Sequence, residues 1–283
     1  MKQTPTPYPL FIVSLIGLIL LTACSDSTPT APVLPEGTGQ LDIKANGESF
    51  VRDGFISKDG WQIQFDHLYL TLADVTAYQT SPPFEAISDQ APTGPYVAVS
   101  GPITLDLVTD DGTDESILIG RLSDVPTGHY NALSWQMLNA STDPAQGYTI
   151  LFQGQAKKGT EAVDFRLKIE QTYRYHCGEY VGDSRKGILG AGGTANLEAT
   201  FHIDHIFGSA DTAPNEALNQ GALGFEPLAQ LATNSQLEVD LAQLKTMLSA
   251  TEFKTLTDNL STLGHVGEGH CYEQSGGYTG HNP

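Results

Sequence analysis

Two short segments of this chain set an aspartate beside a histidine between apolar residues: Phe65-Asp66-His67-Leu68-Tyr69 and Ile203-Asp204-His205-Ile206-Phe207. Imidazole and carboxylate together suit zinc, copper(II) or iron, so metal binding is the chemistry these residue types point to. Other histidines lie close to cysteines: His176 precedes Cys177 and His270 precedes Cys271. His265 and Glu268 occupy a Gly-rich stretch, GHVGEGHCYE, able to wrap a small ion. Read as a strand, FHIDH puts His202 and Asp204 on one face, about 7 Å apart. His205 then falls on the opposite, apolar face with Phe201, Ile203 and Phe207, and His67 shares a face with Phe65 and Tyr69. A histidine on an apolar face is more often a hydrogen-bonded core residue than a ligand. Two in matching surroundings favour a meeting point at one end of a sheet. The leading site is therefore His67, His205 and His176 with the 265–270 loop (His265, Glu268, His270), and His202 with Asp204 forms a second. His129 reads as a turn-edge residue and His281 as part of the tail.

Other chemistries find little to stand on. There is no HExxH pair, nucleophile elbow, SxxK, phosphate loop or dinucleotide fingerprint, and GILGAGGTAN precedes a strand rather than opening a helix. DDGTDES, residues 110–116, lacks the spacing of an EF-hand. A metallohydrolase would need an open coordination position and a general base, and no base stands out, so an enzyme is not expected. The alternative to metal binding is a structural or adhesive surface module whose histidines only pack and hydrogen-bond. With 33 acidic against 14 basic residues and a net charge of -19, the surface repels phosphate backbones, so nucleic acid is not an expected partner. Only 3 Met occur, which argues against a Met-rich copper(I) site.

The elements that must position these groups are mostly strands. Leu41, Ile43 and Ala45 alternate before an Asn46-Gly47 turn signal, and Trp61, Ile63, Phe65, His67 and Tyr69 share a face. ITLDLV, ILIGRL, GHYNALSWQML, GYTILFQGQA and AVDFRLKIEQTYRYH follow at short spacing with turn residues between them. This pattern predicts a mainly β fold, an antiparallel β-sandwich. Beyond residue 212 the texture becomes helical. A short helix is expected from Glu226, Leu237, Leu241, Leu244 and Leu248 lie at helical spacing, and Ser249-x-x-Glu252 is a capping box whose helix ends at Gly264. These helices are read as a C-terminal appendage packed on the sandwich.

The N-terminus sets the compartment. An apolar run from Pro9 to Cys24 is too short to span a membrane and reads as a secretory signal. Its last residues, Leu21-Thr22-Ala23-Cys24, resemble the lipobox of bacterial lipoproteins. That resemblance implies a lipidated Cys24 and a protein anchored in the bacterial cell envelope, with the membrane as a partner. With Cys24 assigned to lipid, Cys177 and Cys271 remain in an oxidising compartment, and a disulfide between them is expected. It would bring the two His-Cys segments together. ADVTAY, ITLDLV, ILIGRL and VPTGHYNALSWQM, best at Pro126-x-Gly128-x-Tyr130, resemble an envelope lipoprotein domain of unknown function. That resemblance, over residues 40–140, implies a prealbumin-like sandwich like that of the carboxypeptidase regulatory domain. The same region is distantly similar to periplasmic copper-binding proteins linked to methanobactin, although their Trp-rich and Cys-rich signatures are absent here. The expected organisation is a signal peptide (1–23), a Ser/Thr/Pro tether (24–39), a β-sandwich (40–212), a loop and helices (213–273) and a Gly-rich tail (274–283).

Overall fold

The computed structural model describes residues 36–87, 90–109, 116–179, 186–267 and 269–274, within one unit, Leu34–Pro283. The signal segment with Cys24, most of the tether, residues 110–115, Glu268 and the tail from 275 lie outside the described residues. No helix among the described residues is long and apolar enough to cross a membrane.

Strand β1 (Thr38–Asn46) buries Leu41, Ile43 and Ala45 by alternation. Asn46-Gly47 does not turn a hairpin. The Asn46 side chain accepts the Glu48 N–H at 2.7 Å, and the chain enters helix α1 (Glu48–Asp53). Then come β2 (Phe55–Ile56), the long β3 (Gln62–Tyr78), β4 (Tyr96–Ala98), β5 (Ile103–Asp106), β6 (Ile117–Pro126), β7 (Gly128–His129) and β8 (Ala132–Met137). A hairpin of β9 (Ile150–Lys158) and β10 (Glu161–Ile169) precedes β11 (Tyr173–Cys177), β12 (Ile188–Leu189) and β13 (Thr194–Phe201). The C-terminal third holds α2 (Asp204–Phe207), α3 (Ala217–Gly221), α4 (Glu226–Ala229), β14 (Gln236–Asp240), α5 (Leu241–Met247), α6 (Ala250–Ser261), β15 (Gly264–Val266) and β16 (Gly269–Gln274).

The fold is mainly β, but not wholly antiparallel as expected. Strands β1 and β13 pair in parallel, as do β10 and β14, so the sheet is mixed. Among the described residues the pairing runs β14-β10-β9-β3-β8-β11-β16-β15-β13-β1-β6, with β2, β4 and β5 attached to β3. Strands near both ends of this path, such as β1 (Leu41, Ile43) and β10 (Phe165, Leu167), bury side chains in one core with Trp61, Trp135 and Phe201. A sheet this wide can share one core only by curling over on itself.

The C-terminal segment is more than a helical appendage. It supplies β14, β15 and β16 to the sheet, and Leu237 belongs to β14 rather than to a helical row with Leu241. Both helix starts there are capping boxes, Asp240 with Gln243 and Ser249 with Glu252. Helix α6 ends at Ser261, so Gly264 opens β15 instead of closing the helix. A Cβ on Gly264 would stand 2.7 Å from the Tyr175 ring and 2.9 Å from Trp135, so glycine lets β15 press against the core aromatics.

Cys177 and Cys271 face each other directly across β11 and β16, with Cα atoms 4.2 Å apart and sulfurs bonded at 1.93 Å. The predicted disulfide is present. It ties β16, and through it β15, to the middle of the sheet.

Candidate metal centre

The second Asp-His segment does not continue as a strand. Strand β13 buries Ala195, Leu197, Ala199 and Phe201 by alternation and stops at Phe201. The buried positions then become Ile203, Ile206 and Phe207, a helical spacing, and the chain makes the single turn α2. Amide-to-carbonyl bonds from His205 to His202 (3.2 Å) and from Ile206 to Ile203 (3.1 Å) close it. Gly208 ends it at φ 66, where a Cβ would lie 2.5 Å from the Asn219 side-chain oxygen. The His202 amide donates to the Leu263 carbonyl at 3.0 Å, which fixes the turn against the start of β15.

This turn overturns the strand-based assignment of faces. His202 and Asp204 are not spread along an extended face with His205 opposite. Ligating atoms of His202, Asp204 and His205 all lie within 4.8 Å of one another. His265, at the centre of β15, joins them: its ring centroid is 4.2 Å from that of His202 and 5.1 Å from that of His205. The His202 and His205 rings stack at 5.4 Å.

The groups behind these rings set their chemistry. Nδ1 of His205 donates to the Thr262 carbonyl at 3.0 Å, which leaves the lone pair on Nε2. Nδ1 of His202 lies 3.2 Å from a Glu48 carboxylate oxygen, again assigning the lone pair to Nε2. A carbonyl behind one imidazole and a carboxylate behind another is the second-sphere arrangement that orients metal-bound histidines. Glu48 reaches His202 from a left-handed backbone, φ 60, which a side-chain-bearing residue adopts only at some cost. Among the described residues, Nε2 of His202 and Oδ1 of Asp204 are buried without a hydrogen-bond partner, and Asp204 is only 9% exposed. Thr200, the register partner of His265, also buries a hydroxyl without a partner. Buried polar groups are ordinarily satisfied, so this concentration of orphan acceptors at one point fits a site built around a cation.

The remaining predicted ligands fall elsewhere. His67 is not on the buried side of β3. Pairing with β9 shifts register between Phe65 and His67, leaving Asp66 as an extra bulge residue. Burial then passes from Ile63 and Phe65 to Leu68, Leu70 and Leu72, and His67 emerges half-exposed. Its ring stacks on Tyr69 and its Nδ1 pairs with Asp106 at 2.7 Å. His176 is buried on β11, aligned with Tyr272 and Ser134, and β16 separates it from His265. Burial, and then the nearby Arg174 charge, hold its pKa below the ordinary histidine value. His270 is the register partner of His265 on β16, but its side chain, like the whole of Glu268, lies outside the described residues.

The structure thus merges parts of the two expected sites, keeping His205 and His265 from one and His202 and Asp204 from the other. Sequence reasoning missed Glu48 and Thr262, which act through the rings they hold. A helical period, Ile203-x-x-Ile206-Phe207 followed by Gly208, was the available signal for the turn. No protein-family model, curated protein or solved structure matches this chain.

Proposed function

We propose that this chain is a lipid-anchored protein of the bacterial cell envelope that binds a zinc or copper(II) ion at His202, Asp204 and His205, with His265 as the neighbouring fourth donor. The anchor rests on the lipobox-like Leu21–Cys24 segment. The scaffold is read as a prealbumin-like sandwich with β15 and β16 inserted into its sheet. The observation that carries the metal reading is the pair of buried atoms, Nε2 of His202 and Oδ1 of Asp204, without a hydrogen-bond partner among the described residues, in a group whose ligating atoms, with those of His205, lie within 4.8 Å of one another. Imidazole nitrogens with one carboxylate suit zinc and copper(II). Thiolate chemistry is not part of this site, since Cys177 and Cys271 are joined to each other.

The purified protein, stripped with chelator and reloaded, is expected to retain one equivalent of zinc or copper by native mass spectrometry and elemental analysis. Retention should fall below about pH 6 as the imidazoles protonate. Absence of stoichiometric metal after loading with either ion would defeat the reading. It would leave a structural or adhesive module whose histidines only pack.

A further inference from the structure

The outer face of β3 and β5 carries a cavity of about 410 Å³, within the usual size range of small-molecule sites. Its polar lining includes Tyr69, Thr71, Thr104, Asp106, Thr142 and Asp143. We infer that this cleft is a second binding site, separate from the metal centre, and that it takes a neutral saccharide.

Several observations point that way. The walls are prearranged. Thr71, 2% exposed, shares a hydroxyl contact of 2.8 Å with Thr104, its register partner across β3 and β5. Tyr69 packs on a small satellite core of Ala140, Ala145 and Leu151, which fixes its ring at the cleft. The loop carrying Thr142 and Asp143 is closed by the Ala140 amide to the Tyr148 carbonyl at 2.9 Å and the Gly147 amide to the Ala140 carbonyl at 2.8 Å. His67, beside the cleft, stacks on Tyr69 at 5.1 Å and 20°, which helps to hold the Tyr69 ring in place. Asp106 accepts from Nδ1 of His67 at 2.7 Å, which leaves the lone pair on Nε2.

The chemistry of the lining separates ligand classes. No Lys or Arg contributes to it, and two carboxylates do, so phosphates, sulfates and uronates are repelled. A divalent cation is also a poor match. Asp106 already accepts the Leu68 and Val108 amides at 3.0 and 3.2 Å and holds His67, so Asp143 alone would have to bind the ion. Threonine hydroxyls, the Asp143 carboxylate, a phenol and an aromatic ring instead match the hydroxyls and C–H faces of a sugar ring. Burial, and then the charge of Asp106, raise the Tyr69 phenol, which keeps its proton for donation.

Saturation-transfer NMR on the metal-free protein, with a panel of neutral hexoses and disaccharides plus glucuronate and spermidine, tests the assignment. At least one neutral sugar should bind with a dissociation constant of about 10 mM or tighter, and its uronate about tenfold more weakly. Thr142→Lys, an exposed loop change that fills the cleft, should abolish the signal, and Thr104→Val should reduce it. The double variant His202→Ala, His205→Ala should bind sugar as before, so failure of the metal proposal would not carry over. No binding by any neutral sugar, a preference for spermidine or glucuronate, or binding unaffected by both Thr142→Lys and Thr104→Val would each overturn it.

Discussion

The two Asp-His segments end in opposite environments, and the difference lies in the residues around them. In β3 the extra residue Asp66 is absorbed by a bulge, so His67 is moved to the outer face beside Tyr69. There Nδ1 pairs with Asp106 and the side chain is half-exposed. After β13 the chain winds instead of bulging, and His205 is brought onto His202 and His265 around the buried Asp204. Both histidines have a protein oxygen at Nδ1. What separates them is the surroundings of the ring, a half-exposed surface beside Tyr69 in one case and two further imidazoles with a buried aspartate in the other. An Asp-His dipeptide therefore specifies no chemistry until the backbone decides what it faces.

Removing ligands gives the sharpest contrast. His202→Ala with His205→Ala should weaken zinc binding by more than about 100-fold, beyond what loss of a supporting group produces. His67→Ala should leave it unchanged, as read by calorimetric titration. Equal losses from both would mean that the two segments do not differ as described. Next in size is the support behind each ring. Glu48→Gln removes the carboxylate from Nδ1 of His202 and should lower affinity about 10–100-fold with the fold intact by circular dichroism. Asp106→Ala should not alter metal affinity at all. It leaves the Leu68 and Val108 amides without their acceptor and should destabilise the protein by about 1–3 kcal/mol in thermal or urea unfolding.

Much of this was legible in the residues. Alternation identified β1, the first part of β3, β10 and β13, and capping residues identified α6. Counting cysteines identified the disulfide, and the expected grouping of His265 with His205 matches the ring contact between them. The errors have specific causes. A bulge reverses side-chain direction until the next irregularity, here between Ala73 and Thr76, and nothing in FDHLY announces it, because the shift is defined by pairing with Gln153 and Gly154 on another strand. The α2 turn was hidden because Phe201, Ile203, His205 and Phe207 fit a period of two as well as Ile203, Ile206 and Phe207 fit a helix. Leu237 was assigned to a helix because strand β14 and helix α5 abut at Asp240, and the leucine spacing runs through both. Glu48 lies more than 150 residues from His202, and no local pattern links them.

The smallest expected effect concerns His176, which among the described residues is the predicted ligand that is buried yet stands apart from the cluster. Its ring is 3% exposed, its Nδ1 has no partner among the described residues, and burial and Arg174 hold its pKa below the ordinary value of 6.5. The unfolded chain therefore takes up this proton first as pH falls. Stability from the neutral ring is complete above about pH 6.5 and declines as pH drops toward the folded value, by up to about 1.4 kcal/mol per unit of separation. Asp42 behaves in the same sense but in a different window. The Arg121 guanidinium holds its carboxyl below the usual range, so its contribution is lost only under much stronger acid, below about pH 4. Melting temperatures of metal-free wild type and His176→Gln from pH 8 to 5 separate the two. The wild-type curve should fall away from the variant's below pH 6.5, while Asp42→Asn should show no change of slope there. Parallel wild-type and His176→Gln curves would mean that His176 titrates alike in the folded and unfolded chains, and that its burial has no electrostatic consequence.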